Sequence, residues 1–64
     1  MTPAELRAAL SRLGLSQAEA ARRMGMTPEA VAHWLSGRRA IPKYAEALVT
    51  AWLQLAKIEK PPGS

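Results

Sequence analysis

Apolar residues recur at every third or fourth position along most of the chain, which is the spacing of one face of an α-helix. The first such segment predicts a helix over residues 3–13. Thr2 and Glu5 form a capping box at its start, with proline at the first helical position, and Gly14 suits a left-handed stop at its end. The apolar positions of this segment are Leu6, Ala9, Leu10 and Leu13.

Two shorter helices are predicted over residues 17–24 and 28–36. Ser16 begins the former with a second capping box, and Gly25 suits its termination. Thr27 is a typical N-cap for the latter, because a proline follows at the first helical position. Only the three residues 25–27 therefore remain for the turn between these helices.

A last amphipathic segment runs from Pro42 to about Glu59, and the prolines at positions 61 and 62 prevent its extension. No segment alternates as a strand would, and no internal repeat is present. The pattern predicts an all-α fold, a compact bundle of four helices with five as the alternative. We expect one domain over residues 1–60, followed by a flexible tail over residues 61–64.

The tight corner between the second and third helices restricts particular positions. Two short helices joined by a three- or four-residue turn containing glycine form a helix-turn-helix, whose second helix can enter a DNA major groove. A small residue is needed where the helices approach most closely, which is Ala21, and Gly25 supplies the positive φ of the turn. The positions expected to pack the unit together are Ala20, Met24, Met26, Val31 and Trp34.

Composition narrows the functional class. The 64 residues carry a net charge of +4, which favours a polyanionic partner, and they include neither cysteine nor aspartate. A single histidine without a neighbouring carboxylate makes neither a metal site nor a catalytic triad, so we expect no enzyme activity, no metal and no cofactor. No apolar run is long enough to cross a bilayer. We therefore expect a cytoplasmic, nucleoid-associated protein that does not associate with a membrane.

The text "LSQAEAARRMGMTPEAVAHWLSGRRAIP", Leu15 to Pro42, resembles the phage repressor and Cro family of helix-turn-helix regulators, the xenobiotic-response-element (XRE) type. The resemblance implies a lambda-repressor-like bundle that binds double-stranded DNA. It implies that Gln17 contacts a backbone phosphate and that Arg38 and Arg39 meet phosphates from the loop after the third helix. The base-reading positions of relatives correspond to Thr27, Pro28, Glu29, Ala30 and His33.

Two of these positions depart from the best-known repressors and have structural alternatives. Pro28 stands where several relatives carry an amide that pairs with adenine, and it is also simply a good first helical residue. Glu29 adds negative charge beside DNA, although a carboxylate is also favourable near a helix N-terminus. We expect His33 to be exposed rather than part of the core. Because of these departures, the resemblance does not predict which bases of the operator are read.

The last helix is more apolar than one small core requires. Its polar residues form one narrow strip, and the remaining apolar arc is wider than the stripe of a core-facing helix. This surplus predicts a homodimer that binds an inverted-repeat operator. Separately, we expect the bound protein to act as a repressor by occluding a promoter. The alternatives are that this helix covers more of the core, and that the fold serves as an antitoxin or another module that binds a protein partner. The expected interface residues are Val49, Trp52, Leu53 and Ala56.

Overall fold

The structure, a computed structural model, describes residues 1–59 and the side chains of residues 1–57. It contains α1 (Pro3–Leu13), α2 (Gln17–Met24), α3 (Pro28–Ser36) and α4 (Lys43–Glu59). The all-α prediction is confirmed, and within residues 1–59 the bundle has four helices and no strand. The first three helices have the predicted bounds, whereas α4 begins one residue later than expected. The predicted flexible tail lies outside the described residues.

Capping boxes begin α1 and α2, as the sequence predicts. The Thr2 hydroxyl accepts a hydrogen bond from the backbone N–H of Glu5, and the Glu5 carboxylate accepts one from the backbone N–H of Thr2 at 2.8 Å. Ser16 and Glu19 repeat this arrangement at the start of α2. These backbone bonds, to Thr2 and to Ser16 respectively, are the main reason that the pKa of each glutamate is lowered.

The core lies where α1 meets α3 and α4 and where α2 packs on α3. Leu6, Val31 and Val49 are the largest fully buried side chains, one each from α1, α3 and α4. Every buried residue among those described is apolar, so no buried polar group competes with the packing. The remaining core residues are Ala9, Leu10, Ala20, Ala21, Trp34 and Ala45.

Helices α1 and α4 run side by side in the same direction. At one end, the amino group of Met1 donates to the Glu46 carboxylate at 2.6 Å, and this bond raises the pKa of the amino group. At the other end, Arg12 of α1 and Lys57 of α4 line the same groove. The C-terminal ends of the two helices therefore lie together.

The first turn of α4 is attached to the helix-turn-helix by an aromatic contact. The rings of Trp34 and Tyr44 meet edge to face, with centroids 6.5 Å apart and an interplanar angle of 81°. The Tyr44 hydroxyl also donates to the Met26 sulfur at 3.6 Å. An aromatic pair of this geometry contributes about 0.5–1.5 kcal/mol beyond the area it buries, so it helps to hold α4 against α3.

Within residues 1–59, no helix is both long enough and apolar enough to span a bilayer.

Candidate nucleic-acid interface

The corner between α2 and α3 is built around Gly25. This residue has φ 72° and ψ 28°, and its N–H donates to the carbonyls of Ala21 and Arg22. The N–H of Met26 donates to the same Ala21 carbonyl at 2.8 Å, which completes a Schellman motif. A Cβ on Gly25 would meet nothing within 4 Å, so the backbone conformation alone requires glycine here.

Small residues let α2 lie close against α3. Ala20 and Ala21 are both 0 % exposed, as is Val31, which packs in the same cluster from α3. Trp34 is buried, and Met24 and Met26 are half-buried against this cluster. The predicted packing positions of the helix-turn-helix are thus confirmed.

The N-terminal ends of α2 and α3 are brought together on one surface. The side-chain amide of Gln17, the first residue of α2, donates to the backbone carbonyl of Pro28, the first residue of α3, at 3.2 Å. Helix N-termini carry unsatisfied N–H groups and the positive ends of the helix dipoles. The positive ends of these two helix dipoles therefore lie on one surface.

The residues predicted to read bases lie at the start and along the outer side of α3. Thr27, Pro28 and Glu29 are exposed, and the Thr27 hydroxyl accepts a hydrogen bond from the Ala30 N–H at 3.3 Å as the N-cap. Ala30 is half-buried and packs against the core. His33 is also half-buried rather than fully exposed, and it lies outside the core cluster.

Both loop arginines are exposed beside the C-terminal end of α3. The backbone N–H of Arg39 donates to the carbonyl of His33 at 3.2 Å, so the loop folds back against the last turn of the helix. The Ser36 hydroxyl donates to the same carbonyl. The backbone of Arg39 is thereby held near one end of α3, while Gln17 lies near the other.

A comparison with known families agrees with this geometry. A family model described as helix-turn-helix matches residues 6–48, which is more than half of the chain. The chain belongs to the XRE-type, Cro-like helix-turn-helix family. This is a family of DNA-binding transcription regulators. No curated protein and no solved structure shows a significant match to the chain.

Three of the carboxylates in this XRE-type domain are engaged within the chain. Glu5 and Glu19 belong to capping boxes, and Glu46 binds the amino group of Met1. Their negative charge is therefore fixed at helix starts and at the α1–α4 contact. Arg38 and Arg39 are exposed in the loop after α3, and Glu29 is exposed at its start, so charges of both signs lie beside this helix.

The structure places the expected dimer residues in three different settings. Val49 is 0 % exposed in the core and presents no surface to a partner, which corrects its assignment to an interface. Trp52 and Leu53 are half-buried and pack against the core, whereas Ala56 is exposed.

A different part of α4 forms the exposed apolar face of the XRE-type domain. Tyr44, Leu48 and Leu55 are 49 %, 36 % and 52 % exposed. Together with the half-buried Trp52, these side chains define what we term the outer face of α4. The sequence places these four residues on one side of α4 but does not single them out as the interface, because the apolar arc is continuous and its pattern does not indicate which part meets the core.

The Gln17–Pro28 hydrogen bond also could not be predicted from the sequence. Its partners are 11 positions apart, and a bond between a side-chain amide and a backbone carbonyl leaves no pattern in the residue types. Only the crossing of α2 and α3 brings these groups within reach of each other.

Proposed function

We propose that this XRE-type domain is a repressor that binds an inverted-repeat operator with α3 in the major groove. The observation that carries the proposal is the hydrogen bond from Gln17 to Pro28, which joins the starts of α2 and α3 on one surface. Together with the exposed arginines after α3, this surface has the layout of a helix-turn-helix that lies on DNA. Occlusion of a promoter by the bound protein is the simplest route to repression.

The proposed contacts divide into those that position the protein and those that read sequence. Gln17, Arg38 and Arg39 contact phosphates at the two ends of α3. The exposed or half-buried outer positions of α3 face the base edges, and Glu29 accepts a hydrogen bond from a cytosine amino group. The base-facing positions are Thr27, Pro28, Glu29, Ala30 and His33.

Selection of bound sequences from random duplex DNA, followed by fluorescence anisotropy at several salt concentrations, tests this proposal. We expect a preferred inverted repeat, and an affinity whose logarithm falls with the logarithm of salt by about 0.9 per phosphate neutralised. A preference of less than about tenfold, or about 1.4 kcal/mol, over random duplex would refute sequence-specific regulation.

Alanine variants separate the two kinds of contact. Arg38→Ala or Arg39→Ala should weaken binding to the selected and the random duplex alike, and should reduce the salt slope by about one. His33→Ala or Glu29→Ala should instead alter base preference at a cost of about 1–3 kcal/mol per contact. Arg7→Ala, which removes an exposed cation from α1, is the matched control for lost charge. Equal losses on both duplexes for His33→Ala and Glu29→Ala would exclude base reading by these residues.

The proposed homodimer forms through the outer face of α4. Removal of apolar surface from water stabilises an association by about 25 cal/mol per Å². A two-fold pair covers the same patch on both copies. An inverted-repeat operator requires the two α3 helices of such a pair to lie on successive turns of the duplex, about 34 Å apart. Leu48 and Leu55, which are exposed one above the other on α4, are the central residues of this interface.

Analytical ultracentrifugation of the wild type and of Leu55→Glu tests the dimer. Leu55 is exposed in the single chain, so we expect the variant to remain folded and to become a monomer with weakened operator binding. Thr50→Glu introduces the same charge at another exposed position of α4 and should leave the dimer intact. If the wild type is monomeric at micromolar concentration, the dimer is refuted. The apolar residues of α4 then serve only to cover the core of the single chain.

A further inference from the structure

A groove of about 510 Å³ lies between the C-terminal ends of α1 and α4. The residues that line it belong to neither α2 nor α3, so it is separate from the proposed DNA interface. On a wheel of about 100° per residue, its α4 residues also lie mostly on the other side of that helix from the outer face. The groove is lined by Arg12, Thr50, Leu53, Gln54, Ala56 and Lys57.

The groove combines two cations with an apolar floor. Arg12 of α1 and Lys57 of α4 both line the groove, together with the half-buried Leu53. Among the side chains of residues 1–57, no carboxylate lines the groove. Neither cation is paired with a carboxylate among the side chains of residues 1–57. Among the described side chains, the positive charge of the two cations is therefore not compensated, and the groove suits an anionic occupant with apolar side chains.

The helix dipoles do not account for this arrangement by themselves. A cation in the last turn of a helix is stabilised by the negative end of that helix, and this holds for Arg12 and Lys57 separately. The effect is equally available to Arg22 in the last turn of α2, which lines neither this groove nor the core. Only the parallel packing of α1 and α4 directs two cations to one groove.

The openness of the groove favours a segment of a macromolecule over a small molecule. Every lining residue except Leu53 is exposed, whereas a small-molecule site commonly covers about 70–90 % of its ligand. An amphipathic helix can lay apolar side chains on such a floor and place carboxylates beside the cations at the rim.

A second copy of the chain supplies little complementary charge for this groove. Among the side chains of residues 1–57, Glu5, Glu19 and Glu46 are engaged within the chain, and Glu29 lies on the proposed DNA interface. The net charge of +4 also favours an acidic partner over a second copy in this groove. We propose that the groove between α1 and α4 binds an acidic amphipathic segment of a different protein. This proposal does not depend on the repressor function.

The test uses the full chain and a fluorescein-labelled amphipathic peptide of about 14 residues, with leucine at every third or fourth position and glutamate between. A second peptide has glutamine in place of glutamate. We expect the acidic peptide to bind at least about tenfold more tightly than the neutral one, with an affinity that falls between about 50 and 300 mM salt. Equal binding of both peptides, or no binding of the acidic peptide at about millimolar concentration, would overturn the proposal.

Paired variants locate the site. The double variant Arg12→Ala/Lys57→Ala should lose at least about tenfold in affinity for the acidic peptide. The control, Arg7→Ala/Arg22→Ala, removes the same net charge from exposed positions outside the groove and should retain the wild-type affinity. Equal losses in the two double variants would show attraction by net charge alone and would contradict a built site.

Two further readouts identify other occupants. If Arg12→Ala/Lys57→Ala reduces the salt slope of DNA binding by about two, these cations contact phosphates, and the groove belongs to the DNA interface. If the same variant dissociates a wild-type dimer in the ultracentrifuge, the occupant is a second copy. Either result would refute the proposal that the groove binds a different protein. Unchanged DNA binding and an unchanged oligomeric state would support the proposal.

Discussion

Replacement of Gly25 tests the physical basis of the turn between α2 and α3. The residue has φ 72°, and a Cβ added there would have no neighbour within 4 Å. Substitution therefore changes the backbone energy without a steric clash. We expect a graded loss of stability in which Gly25→Asn is mildest, Gly25→Ala is intermediate and Gly25→Val is most severe, because asparagine tolerates the left-handed region and β-branched residues do not.

The magnitude for Gly25→Ala follows from two opposing terms. The left-handed conformation costs a residue with a Cβ roughly 1–2 kcal/mol. Alanine also lowers the conformational entropy of the unfolded chain, which stabilises the folded state by about 0.4–1 kcal/mol. The net loss is about 1 kcal/mol, which is a substantial part of the roughly 3–10 kcal/mol expected for a domain of 64 residues. It corresponds to a fall in Tm of about 4–8 °C.

Thermal and urea unfolding, followed by circular dichroism, measure this series. Gly14 is the matched comparison, since it has φ 68° and an equally open Cβ position at the end of α1. Gly14→Ala should therefore cost about as much as Gly25→Ala. Full stability of Gly25→Ala, or an asparagine variant as unstable as the valine variant, would refute the argument from backbone conformation.

Three other changes test the packing and the helix caps. Ala21→Leu should destabilise the fold by about 1–3 kcal/mol, because Ala21 is fully buried where α2 packs on α3, whereas Ala18→Leu, at an exposed position of α2, should be nearly neutral in urea unfolding. Leu6→Ala should cost about 2–5 kcal/mol in the same assay, and a loss below about 1 kcal/mol would contradict its place in the core. The pKa values of Glu5 and Glu19 are lowered in the folded protein, so their stabilisation is present above the ordinary glutamate pKa of about 4.3 and is lost as pH falls through the folded values. Glu5→Gln/Glu19→Gln should flatten this acid dependence of the unfolding free energy, because glutamine still caps but does not titrate, and an unchanged pH profile would exclude the two carboxylates as its source.

The sequence by itself determined where the helices begin and end. Each signal is local: Thr2 and Ser16 reach the backbone only three residues ahead, and Gly25 terminates α2 by its own backbone conformation. Such interactions depend on nearby residue types and not on distant parts of the chain. The short turn then predicts the helix-turn-helix, because few crossings are compatible with three connecting residues and with alanine at position 21.

The tertiary structure alone decided what each side of α4 contacts. Its apolar arc is wider than the core can cover, and the residue types do not distinguish the buried Val49 from the exposed Leu48 and Leu55. That choice follows from the direction in which α4 packs on α1 and from the contact of Tyr44 with Trp34. The same is true of the groove shared by Arg12 and Lys57 and of the bond from Gln17 to Pro28, because each joins groups far apart in the chain whose distance depends on how the helices pack.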